Sequence, residues 1–207
     1  MNRDEAEKRM REVHRIMERT TLYTLLPGVP AIVGGVLALA GCVVSVVMMR
    51  SVDVAEALKL SSGNQVGLCV MWAVIGIVAV AQEIWWTARA ARRLGISPTA
   101  RPARFAAFSL SPSVIVAMVL TWQLASDGQV RYVVPVWMMC YGTGVYAAGL
   151  FSVRLPRLLG LAFIIGGAAG LLFFADYGVI LAGLSFGVLH IVFGLVIHLR
   201  SSESDAT

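Results

Sequence analysis

The sequence predicts an all-α polytopic membrane protein: a bundle of six transmembrane helices with a cytoplasmic amphipathic helix at its N-terminus. Three observations predict it. Hydrophobic residues fill 58% of the 207 positions and charged residues only 14%, whereas a surface facing water needs roughly 25% charged residues. The apolar residues fall in runs of about 20, the length that crosses a bilayer core. The basic residues sit between those runs on alternate connections, where the positive-inside rule places them in the cytoplasm. All but three of the 17 Lys and Arg residues lie on that side, the exceptions being Arg50, Lys59 and Arg131.

The orientation rests on the stretch Arg89 to Arg104, which holds Arg89, Arg92, Arg93, Arg101 and Arg104 and no acidic residue. It separates the apolar runs Val66–Ala81 and Phe105–Ala125 and is expected to meet lipid headgroups or a protein partner. The net charge of +5 is concentrated at helix ends. That pattern belongs to membrane orientation and speaks against a nucleic-acid partner.

Residues 1–21 are the most charged segment. Asn2 and Glu5 have capping-box spacing. Asp4 with Lys8, Glu5 with Arg9, and Glu7 with Arg11 are acid-first i,i+4 pairs. Ala6, Met10, Val13 and Met17 form one apolar stripe. The segment therefore reads as a helix lying on the membrane surface or meeting a cytoplasmic protein partner.

The first span covers 22–49, with Pro27 and Pro30 near its start, where a missing N–H costs least. Gly34, Ala38, Gly41 and Ser45 recur at helical spacing and offer a small-residue face to a neighbour. Residues 50–65 form the longest outer loop, with a short helix expected over Val52–Leu60 and a breaker cluster at Ser61–Asn64. The second span, 66–88, ends in Trp85 and Trp86 at the inner interface. The third, 105–125, carries Pro112 in its interior and is expected to kink there. Ser126–Gly128 is a tight turn, and the fourth span follows at 130–150. The fifth covers 158–174 and the sixth 177–199, with Asp176 as the expected N-cap of the sixth. Residues 200–207 read as a polar cytoplasmic tail.

Within the first span, Leu39-Ala40-Gly41-Cys42 resembles the lipobox of bacterial lipoproteins, which would make Cys42 a lipidation site. The four residues depart from that pattern in context. Their prefix is long and half acidic, and the run Val43–Met49 stays apolar where a signal peptide turns polar. The expected reading is an uncleaved membrane-spanning helix. Cys42, Cys69 and Cys140 all lie within apolar runs and form no disulfide framework.

Ionisable groups inside spans are costly and are the first candidates for function. Glu83 lies toward the inner end of the second span and His190 near the middle of the sixth. Counting about 1.5 Å per residue from the outer ends places Tyr141 and His190 at one depth and Glu83 somewhat further in. Ser109, Ser111 and Ser113 reach a comparable level from the inner side. These six are expected to form an intramembrane polar cluster. Gly183, Gly187 and Gly194 share a helical face with His190 at i, i+4, i+7 and i+11, so His190 is expected to face a neighbouring helix through that stripe. The methionines and cysteines of the outer half read as apolar packing rather than soft-metal ligands.

No HExxH or phosphate-binding glycine loop appears, and no metal or cofactor is expected. The leading expectation is a non-enzymatic inner-membrane protein that senses or regulates through cytoplasmic contacts. The alternative is a small transporter or proton-coupled carrier using Glu83 and His190. A third reading makes His190 a cofactor ligand.

Overall fold

A computed structural model of the chain describes residues 28–93, 101–150 and 154–204, with the side chains of 101–107 and 200–204 outside that description. The helix expected over 1–21 and the connection 94–100 therefore lie outside the described residues, as do the side chains of Arg101 and Arg104. The rest is helical. The α-helices are α1 (Gly28–Met49), α2 (Ser62–Arg93), α3 (Arg101–Ser126), α4 (Val133–Leu150), α5 (Arg154–Phe173), α6 (Gly178–Ala182) and α7 (His190–Ser204). A π-helical segment, Gly183–Leu189, joins α6 to α7. Among the described residues, six helical stretches are long and apolar enough to cross a membrane.

Local chemistry sets most boundaries. Pro30 sits in the first turn of α1, where no intrahelical donor is lost. Asp53 caps the 3-10 turn Val54–Lys59 by accepting from the Ala55 amide at 2.8 Å. α3 ends in a Schellman turn: Gln129 N donates to Leu124 O at 2.7 Å, Gly128 N to Ala125 O at 3.2 Å, and Gly128 takes φ +70°.

Three expectations need correction here. α2 begins at Ser62, inside the expected breaker cluster, because Ser61 supplies both its carbonyl to Gln65 N and its hydroxyl to Asn64 N. Asp176 does not cap the sixth span. It lies within a 3-10 turn, Ala175–Tyr177, and its carboxylate accepts from Arg131 at 3.1 Å instead. The final helix continues to Ser204, through much of the expected tail, since no proline or glycine stops it. α3 runs through Pro112 as one helix.

A helix pair, α1 with α2, and a group of three, α3 to α5, flank the last helical stretch. α2 packs chiefly on α1, α3 on α4, and α4 closely on α5, while the α6–π–α7 stretch touches α1, α4 and α5. Glycine permits the closest approaches. A methyl at Gly142 would come within 2.7 Å of the Gly160 carbonyl oxygen, and one at Gly167 within 2.8 Å of Met139 Cγ. Gly142 and Gly149 on α4, and Gly160 and Gly167 on α5, repeat every seven residues and keep the two helices in contact along their length. Gly28 and Gly194 likewise bring α1 against α7 backbone to backbone, and a methyl at Gly35 would lie 2.7 Å from the Gly187 carbonyl oxygen.

Indole donors fasten two hairpins in the same manner. Trp72 Nε1 on α2 donates to Ser45 Oγ on α1 at 3.1 Å, and Ser45 in turn donates to the Gly41 carbonyl at 2.8 Å. Trp137 Nε1 on α4 donates to Thr121 Oγ1 on α3 at 2.8 Å, and Thr121 donates to the Ala117 carbonyl at 2.7 Å. Each indole N–H, which would be unsatisfied in an apolar setting, thereby reaches a hydroxyl that is itself anchored.

Candidate functional site

The site is built on the π-helical segment. A π turn accepts at i→i+5 and takes in one residue more than an α turn. That extra residue rotates the helix before it by about 100° relative to the helix after it. Gly183 and His190, on either side of this turn, meet different neighbours. Gly183, Gly187 and Gly194 all turn toward α1, meeting Leu39 and Cys42, Leu39, and Ile32 respectively. His190 turns toward α4 and α5. The expected single face of three glycines and one histidine is thus divided between two neighbours.

On its own side His190 is held at both ring nitrogens. Nε2 lies 2.9 Å from the Tyr141 hydroxyl, and Nδ1 lies 3.3 Å from the Ser185 carbonyl oxygen. A carbonyl can only accept, so Nδ1 carries the proton. Nε2 then presents its lone pair, and the Tyr141 O–H donates to it. This polarity engages both ring nitrogens. Ser185 Oγ donates to the Leu181 carbonyl at 2.6 Å, within the same segment.

Aromatic rings enclose the pair. Phe163, fully buried, meets Tyr141 edge-on at 5.0 Å and His190 edge-on at 5.3 Å. Phe186 stacks on His190 at 6.1 Å and lies 5.0 Å from Phe163. Such ring pairs each contribute about 0.5–1.5 kcal/mol beyond burial, so the wall fixes both the Tyr141 and the His190 rotamers.

Glu83, on α2, is partly buried. Its neighbour Gln82 donates to the Pro30 carbonyl on α1 at 2.8 Å. The serines do not join the cluster. Ser111 is exposed, Ser109 and Ser113 are partly buried, and Ser113 faces Gly144 of α4. Among the described residues none of the three hydrogen-bonds to Glu83, Tyr141 or His190. Positions two apart on a helix point about 200° apart, so three alternate serines cannot all address one centre.

The remaining expected site residues lie elsewhere. Arg89 Cζ sits 5.5 Å from the Trp85 ring centroid, and Trp85 meets Trp86 edge-on at 5.1 Å. Arg92 and Arg93 are exposed in the last turn of α2. Gly34 and Gly41 turn toward α2, where Gly41 would meet Ile75 and Trp72. Cys42 is buried among Met49, Leu68, Val179 and Ala182, an environment of ordinary apolar packing. Among the described residues no three His, Cys, Asp or Glu side chains converge as metal ligands do.

Sequence reading missed Phe163 and Phe186, which look like any other apolar span residues, and the π segment that aims His190. No family model matches the chain, and neither a curated protein nor a solved structure matches it.

Proposed function

We propose that the chain is an integral inner-membrane protein, with six crossings and both termini in the cytoplasm, that senses or regulates through partner contacts without catalysing a reaction. One observation carries this reading. α2 has 32 residues and is about 48 Å long, against a bilayer core of about 30 Å. Its last turns therefore stand clear of the hydrocarbon, with Arg89 laid on Trp85 and Arg92 and Arg93 exposed. Arginine on an aromatic platform is suited to carboxylate or phosphate recognition. Residues 1–21 would supply the second half of the contact surface. The test is recovery of partners in a pull-down: replacing Met10, Val13 and Met17 with Ser should reduce it, and unchanged recovery would count against this reading.

A second reading, a small transporter or proton-coupled carrier, is favoured by one observation: the bonded Tyr141–His190 pair within the helices. Histidine and carboxyl groups inside a membrane commonly mark ion or proton pathways. Flux into proteoliposomes, compared between the wild type and His190→Ala, tests it. Absence of flux under every gradient leaves the first reading standing.

A further inference from the structure

We propose that one exposed face of α2 binds an anionic phospholipid, with the headgroup phosphate on Arg89 and Arg92 and an acyl chain along Val74, Val78, Ala81 and Trp85. The inference rests on the membrane-spanning reading of α2 above but needs no protein partner.

Those six residues follow one another at intervals of three or four, which makes them neighbours on the helix surface, and all six are exposed. Trp72, Ile75 and Gln82, which meet α1, lie off this row. From Val74 to Trp85 the row is about 16 Å long, close to one leaflet's share of a hydrocarbon core of about 30 Å. Arg89 stands about 6 Å beyond Trp85 and Arg92 about 10 Å beyond it. Tryptophan settles at headgroup level, so the two guanidinium groups stand at the phosphates.

Charge decides the kind of lipid. The sequence holds no acidic residue from Ile84 through Arg104. Glu83, two residues before Trp85, points about 200° away from it. The helix C-terminus carries only about half a negative charge, and the full charges of Arg89, Arg92 and Arg93 outweigh it. Geometry prepares the first of these: Arg89 Cζ lies 5.5 Å from the Trp85 centroid, and Trp86 braces Trp85 edge-on at 5.1 Å. A guanidinium held against an indole face is already ordered when it offers its fork of N–H donors to a phosphate. A zwitterionic headgroup would bring its own ammonium beside these arginines, so an anionic one is the better match.

The test uses the full-length protein in phosphatidylcholine vesicles that contain a minor fraction of brominated lipid, which quenches only the tryptophans it touches. The Trp85 signal is the quenching that disappears in Trp85→Phe. Brominated phosphatidylglycerol should quench it more strongly than the same fraction of brominated phosphatidylcholine. Arg89→Gln should lower that preference about fivefold, the weight of one basic residue at an anionic surface. Arg154→Gln removes an equal charge from the exposed start of α5, at the same end of the bundle in the proposed topology, and should leave the preference unchanged. Both are exposed substitutions, and unchanged melting in detergent confirms that the variants fold. Equal quenching by the two lipids overturns the proposal, as does a preference that survives Arg89→Gln. An equal loss in Arg89→Gln and Arg154→Gln overturns it too, since the attraction then belongs to the whole surface. Trp85 quenched by neither lipid means that protein covers this face or that α2 lies outside the membrane, and rejects the site in either case. A failed pull-down beside an intact lipid preference rejects the partner reading alone.

Discussion

Gly160 on α5 lies so close to Tyr146 on α4 that a methyl group in its place would sit 2.5 Å from the Tyr146 amide nitrogen. The atom in the way is backbone, which cannot swing aside as a side chain can. Gly160→Ala is therefore expected to destabilise the folded protein by about 1–3 kcal/mol, the usual cost of overpacking. Gly166→Ala is the control, because its methyl would meet only the mobile Met138 Cε at 3.1 Å. Thermal melting in detergent should separate the two, and equal melting temperatures would contradict the close α4–α5 contact.

The Tyr141–His190 bond is expected to show as a coupling energy. A double-mutant cycle with Tyr141→Phe and His190→Gln should yield about 0.6–1.7 kcal/mol, the range found for hydrogen bonds between membrane helices. A coupling near zero would mean that the two rings stand side by side without the bond.

The Trp72–Ser45 and Trp137–Thr121 bonds join different hairpins and share no residue. Trp72→Phe and Trp137→Phe should each cost about 0.5–1.5 kcal/mol and should add when combined, as independent sites do. Chemical denaturation of the single and double variants measures this.

The Arg131–Asp176 pair presents the opposite expectation. Both side chains are largely exposed, so Asp176→Ala should change stability by no more than about 1 kcal/mol. High salt should remove the difference altogether.

Orientation can be measured directly. A cysteine placed at Asp127 should react with a membrane-impermeant maleimide added to intact spheroplasts, and one placed at Arg93 should react only after lysis. The reverse pattern would invert the membrane topology proposed from the arginines.

The legible parts of this chain were those governed by local composition. Run length marked the helices, and Gly128 marked the turn after α3. Depth counting put Tyr141 and His190 at one level because rise per residue is nearly constant along a helix. The seven-residue repeat of Gly142, Gly149, Gly160 and Gly167 was present to be read, but 20 glycines supply many competing spacings. The π segment was not legible, since Gly183–Leu189 carries an unbroken α-like pattern. Asp176 looked like a cap because Asp often is one, and only the fold brings Arg131 near it. Glu83 could be flagged as a charge within an apolar run.

The length of α2 has a mechanical consequence. From Val66 to Ala88 its greasy portion measures about 34 Å, slightly more than the thickness of a bilayer core. In the proposed membrane setting such a rod would lean until its ends match the interfaces. With firm support chiefly from α1, its angle would follow bilayer thickness: long-chain lipids would stand it upright and short-chain lipids lay it over. The guanidinium tip at Arg92 and Arg93 would swing with it, making the lateral position of those charges a readout of the surrounding lipid.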